Sequence, residues 1–142
     1  VRVSTGSPRS TETPDADVLA GISLFEGFSA EELGRTAQLG QRIEVPPGSV
    51  LVDQGDPGTF CYVVLAGNAD VYVSGEYIAT SGPGAMIGEM ALIDHRPRTA
   101  TVVAAEPMVL LRFDTLAFRA LLEEMPKAAE RVHAILGARL GN

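Results

Sequence analysis

From Gln41 to Phe113, short runs of Val, Ile, Leu and Tyr are cut by Gly and Pro at close intervals. No other feature limits the fold as strongly. In a helix interior each Gly would cost about 1 kcal/mol and each Pro about 3 kcal/mol, so this region cannot be helical. It reads as a series of short strands. The spacing predicts strands at 41–45, 49–53, 60–66, 69–74, 76–81, 84–87, 99–105 and 107–113. Turns fall at Pro46-Pro47-Gly48, Gly55-Asp56-Pro57-Gly58, Gly67-Asn68, Ser74-Gly75 and Gly82-Pro83-Gly84. Strands this short and numerous imply a closed or jelly-roll-like β-roll.

Helical signals flank the strands. Thr13 and Pro14 resemble an N-cap and first helical residue, opening a short helix that Gly21 ends. Ser29 and Glu32 form an S-x-x-E capping box, with Phe28 and Leu33 in the staple positions, which predicts a helix over 30–39 stopped by Gly40. After the N-cap Asp114, Phe118, Leu121, Leu122 and Met125 recur at helical spacing until Pro126 interrupts them. A last helix from 127 to about 140 places Val132, Ile135, Leu136 and Leu140 on one face. The fold class is therefore mainly β with flanking helices: an eight-stranded antiparallel β-roll, N-terminal helices and C-terminal helices. Residues 1–14, rich in Ser, Thr, Pro and Gly, read as a flexible tail, and 15–142 as one domain.

A formal net charge of −7 argues against a broad surface for nucleic acid or an anionic membrane. An anionic small molecule would need a locally basic pocket. Cys61 is the single cysteine, excluding an internal disulfide, and two distant histidines, His95 and His133, give no metal-ligand spacing. Apolar runs such as Tyr62–Ala66 fall far below the roughly 20 residues of a membrane helix. The expected location is the cytoplasm. Cys61 reads as a small core residue, while Met86 and Ile87 fit either a pocket wall or the core.

One stretch carries chemistry: "GEMALIDHRPRTATV", residues 88–102. Gly88 lets backbone approach a ligand closely, and Glu89 to Ile93 can form a short helix whose first amides lack internal partners, an end that attracts phosphate. Arg98 adds a permanent planar cation, with Pro97 stiffening the chain before it. A carboxylate at Glu89 would repel phosphate unless it had a task of its own, such as accepting a hydrogen bond from a sugar hydroxyl. His95 and Arg96 read as solvent-facing loop.

The set Gly88, Glu89, Ala91, Leu92, Pro97, Arg98, Thr99 and Ala100 resembles the phosphate-binding cassette of the cyclic nucleotide-binding domain family. The likeness extends from about residue 18 to the C-terminus and includes the turn glycines Gly67, Gly82 and Gly84. It implies that Arg98 holds the cyclic phosphate, that Glu89 takes the ribose 2′-hydroxyl, and that amides of Ala91 and Thr99 reach phosphate oxygens. Gly88 would sit beside the sugar, Met90 and Ala100 would complete the cassette's contacts, and Val71 and Ile78 would form apolar pocket wall. Ile87 departs from the aromatic residue usual before the Gly-Glu pair, and without Trp the residue covering the base is not identified.

The function implied is that of a cyclic nucleotide receptor, cyclic AMP preferred over cyclic GMP, with no catalytic activity and no cofactor. It would reposition its C-terminal helices about Pro126 and signal through a protein partner or self-association, without nucleic acid or membrane. A structural or protein-interaction module that keeps the roll but has lost its ligand is the competing expectation. A metal-dependent enzyme would need clustered ligands that two histidines do not provide.

Overall fold

A computed structural model describes residues 19, 21–22, 25–88 and 97–140, with side chains described to residue 134. The expected tail and most of the expected helix opening at Pro14 lie outside these residues. The chain divides into two compact units, residues 40–119 and the pairing of 1–39 with 120–142.

The first unit holds the strands, eight among the described residues: β1 (Gln41–Val45), β2 (Val50–Val52), β3 (Phe60–Ala66), β4 (Ala69–Val73), β5 (Glu76–Ser81), β6 (Met86–Ile87), β7 (Thr101–Ala104) and β8 (Met108–Asp114). They form two four-stranded antiparallel sheets, ordered β1-β8-β3-β6 and β2-β7-β4-β5. Val52, Tyr62, Val64, Ala69, Ile87, Val102, Ala104, Met108 and Leu110 fill a shared interior to which both sheets contribute. β3 is buried from Cys61 to Leu65, so both of its faces are covered and its sequence reads as an unbroken apolar run. β5, at a sheet edge, is exposed along nearly its whole length.

Turn chemistry fixes the connections. Ser74 and Gly75 carry φ of 53° and 81° between the paired residues Val73 and Glu76, the two positive values that a two-residue type I′ hairpin requires. At Gly67, φ is +88° and a Cβ would stand 2.5 Å from the Pro107 carbonyl oxygen, so the β3–β4 turn lies too close to the β7–β8 connection for any side chain.

The strands are shorter than expected in four places. The stretches 49–53, 69–74, 84–87 and 99–105 contract to Val50–Val52, Ala69–Val73, Met86–Ile87 and Thr101–Ala104. A register shift between Val50 and Val52 limits β2. Before β6, Ala85 N–H donates to the Gly82 carbonyl at 3.0 Å, which keeps Gly84 and Ala85 in the turn.

The other unit is helical. In α1 (Ala30–Leu39) the capping box forms as expected: Glu32 N–H donates to Ser29 Oγ at 3.1 Å, and Ser29 N–H to Glu32 Oε1 at 2.8 Å. α2 (Thr115–Glu124) starts in the strand unit, where Asp114 accepts from Ala117 N–H at 2.8 Å, and ends in this one. α3 (Pro126–Leu140) begins at Pro126 itself. Proline fits the first turn of a helix because the amide it lacks has no intrahelical partner there, so the break falls at Met125 and the new helix starts one residue earlier than expected. Three contacts fasten this junction to α1 and the turn before it. Arg35 pairs with Glu124 in a two-point bond at 2.7 and 2.9 Å, Thr36 Oγ1 donates to Met125 Sδ at 3.1 Å, and Lys127 Nζ donates to the Gly27 carbonyl at 2.9 Å.

The backbone bond from Ser29 is the main reason that the Glu32 carboxyl is held below its ordinary pKa, Lys127 adding to it. A carboxyl lowered on folding stabilises fully above its unfolded pKa, and the contribution is lost as pH falls through the folded value. Ser29→Ala is expected to lower stability by about 1 kcal/mol at neutral pH, measured by urea denaturation. Glu32→Gln should remove part of the acid sensitivity of the unfolding midpoint below the ordinary carboxylate range.

Candidate functional site

Arg98 is the centre of the site. Its Nη1 donates to the Gly88 carbonyl at 2.6 Å and its Nη2 to the Phe60 carbonyl at 2.5 Å, both partly buried. The guanidinium thus ties the end of β6 to the start of β3. Its backbone is held as firmly: Arg98 N–H donates to the Asp56 carbonyl at 2.9 Å, and the Arg98 carbonyl accepts from Gly55 N–H at 2.8 Å. Gly55, at φ +90°, supplies the left-handed turn that aims this amide. Thr101 extends the seam, donating from Oγ1 to Asp53 at 2.8 Å and accepting from Gln54 N–H at 3.0 Å. The result is a fixed, half-buried monocation beside a glycine whose missing side chain leaves backbone bare. Such an arrangement suits a small anion carrying one charge.

A second guanidinium, not singled out in the sequence, stands nearby. Arg112 of β8 lies in register with Gln41 of β1 and Tyr62 of β3. Its Cζ sits 4.4 Å from the centre of the Phe60 ring, and Nη2 donates to Gln41 Oε1. Burial lifts the Tyr62 hydroxyl above the usual phenol range, while the charges of Arg112 and Arg98 pull it back. The sequence pattern gave Arg112 no distinction, because its neighbours come from strands remote along the chain.

The structure brings Gly88 and Arg98 together and extends Thr99 and Ala100 from the same seam, Thr99 exposed and Ala100 partly covered. Val71 packs against the roll interior, whereas Ile78 is 54% exposed on the edge strand β5. Met86 and Ile87 are buried. Glu89, Met90 and Ala91 lie outside the described residues. Arg98 also has a duty that the sequence reading left out, since two of its donors serve backbone carbonyls.

The fold is a β-roll in which Arg98 binds the backbone where β6 ends and β3 begins. Residues 42–125 match the cyclic nucleotide-binding domain family, and the chain belongs to that family. It is 35% identical over 107 residues to a Pycsar effector protein of Xanthomonas perforans, covering 75% of this chain and 35% of that one. With the cyclic AMP receptor protein of Thermus thermophilus it shares 33% over 127 residues, 86% of this chain and 59% of the relative. The crystal structure of the Thermus thermophilus catabolite activator protein superposes with a TM-score of 0.76 at 34% identity, over 82% of this chain and 57% of that one. The chain therefore spans between about a third and three fifths of these relatives' lengths. Among the described residues no helix is long and apolar enough to cross a membrane.

Gly88 has φ +84°, and a Cβ there would fall on Arg98 Nη1 and lie 3.3 Å from the Phe60 carbonyl. Gly88→Ala is expected to destabilise by at least about 1–2 kcal/mol from the backbone conformation alone, read by chemical denaturation. It should also displace the guanidinium, visible as a shifted Arg98 side-chain resonance.

Proposed function

We propose that the chain is a cyclic nucleotide receptor module, with cyclic AMP its preferred ligand. The observation that carries this reading is the cradle at Arg98, a half-buried guanidinium fixed on the carbonyls of Gly88 and Phe60 within the family's cassette. A cyclic phosphodiester bears a single negative charge, which suits one planar guanidinium. Glu89 takes the ribose 2′-hydroxyl, amides of Ala91 and Thr99 reach phosphate oxygens, and Val71 and Ile78 form apolar pocket wall. Support for cyclic AMP comes from relatives at a third or more identity whose names carry it, the Thermus receptor and a cyclic AMP-binding acyltransferase of Mycobacterium smegmatis at 33%.

The readout lies in the C-terminal helices and passes to a protein partner or to self-association. Because the Met125 junction is fastened to α1 at Arg35, Thr36 and Glu32, a shift of α3 carries α1 with it. Ligand drives that shift only by binding one arrangement more tightly than the other.

A thermal-shift panel of cyclic and linear, adenine and guanine nucleotides tests the reading. Binding to the folded state alone adds about 2.7 kcal/mol at a ligand concentration 100 times Kd. Stabilisation by cyclic AMP, absent with linear AMP, is the expected result; cyclic GMP at least about tenfold tighter would reverse the base assignment. Arg98→Ala is expected to abolish the ligand shift and, by removing a charged donor from each of two carbonyls, to cost about 1–3 kcal/mol in the ligand-free state. Arg98→Lys should restore little binding, since a point ammonium cannot span both carbonyls and a phosphate. In hydrogen exchange, cyclic AMP should slow residues 126–140 and 30–39 together.

A further inference from the structure

Arg112 is costly where it stands. Cross-strand neighbours in register share a sheet face, and the face holding Arg112 also carries Tyr62 and Ile87, both part of the roll interior. Its Nε is buried and finds no acceptor among the described residues. An apolar side chain would avoid that desolvation, so burial alone does not account for a guanidinium here. What Arg112 does have is the ring of Phe60 under its plane, at 4.4 Å, with Gln41 steadying one edge.

Phe60 is the first residue of β3 and meets both guanidiniums. Its ring lies under Arg112, and its carbonyl accepts from Arg98 Nη2. Pinning the ring limits the torsions of a residue at a strand end, where pairing continues on one side only. We propose that Arg112 is a positioning residue for the anion site: by stacking on Phe60 it fixes the carbonyl on which Arg98 rests. This builds on the cyclic nucleotide reading but acts on the protein before any ligand arrives. Arg112 needs no contact with the ligand.

The experiment has a ligand-free arm and a ligand arm. In nitrogen-15 spectra of the ligand-free protein, the Nη protons of Arg98 should give separate, slowly exchanging signals that coalesce in Arg112→Met and in Phe60→Leu. Retention of separate signals in both folded variants would overturn the proposal, whether or not any nucleotide binds. In calorimetry with cyclic AMP, each single variant should weaken binding about tenfold. The double variant should weaken it about tenfold as well, because both changes break one linkage. Losses that multiply to about a hundredfold would mean that Arg112 touches the ligand directly, and would overturn the positioning role. Arg112→Lys keeps a cation over the ring and should recover part of the loss; it also serves if the methionine variant does not fold. A wild-type protein that binds no cyclic nucleotide would fail the receptor reading alone, leaving the spectra to decide the role of Arg112.

Discussion

The bond pair from Arg98 to the carbonyls of Gly88 and Phe60 is the interaction on which the rest of the site depends. A cation taken partly out of water must be given oxygen atoms, and two of them come from backbone 10 and 38 residues away. Each acceptor then constrains its own surroundings. Gly88 must be glycine, since its backbone turns through a positive φ and its Cα hydrogen faces the guanidinium. The turn at Gly55 must present an amide to the Arg98 carbonyl. Local conformational costs at several positions thus share one cause.

Legibility in the sequence followed how local the chemistry was. Helix α1 could be read to its ends because Ser29, Glu32 and Gly40 act within a few residues of one another. The centres of the strands were equally plain, whereas their ends were not: the stop of β2 depends on a register shift against β7, which no nearby residue announces. Gly88 and Arg98 stood out through their motif, but the acceptor role of Phe60 belongs to its backbone, and a main-chain carbonyl leaves no side-chain signature. Arg112 was hidden in an apolar run because its contacts, Gln41 and Phe60, come from strands remote along the chain. The exposure of Ile78 likewise follows from β5 being an edge strand, a matter of sheet order.

An acidic chain with a local cation can discriminate by size as well as by sign. The net charge of −7 repels an extended polyanion along its whole length. A small monoanion samples little of that field, because exposed charges are screened beyond about 8 Å at physiological salt. Arg98 is partly buried, which weakens the screening of its charge.

The pairing of β1 with β8 also bears on how such a roll comes into being. Gln41 meets Arg112 across 71 residues of chain, so the first strand has no partner until nearly all the others have been made. Contacts so distant in sequence close large loops and slow the search for the native arrangement. During synthesis β1 would wait with its amides and carbonyls unpaired, open to the wrong strand. The hairpin at Ser74–Gly75, by contrast, joins neighbours and can form within microseconds. The chain can thus pair β4 with β5 long before β1 has its partner, and the strand made first is among the last to be sealed.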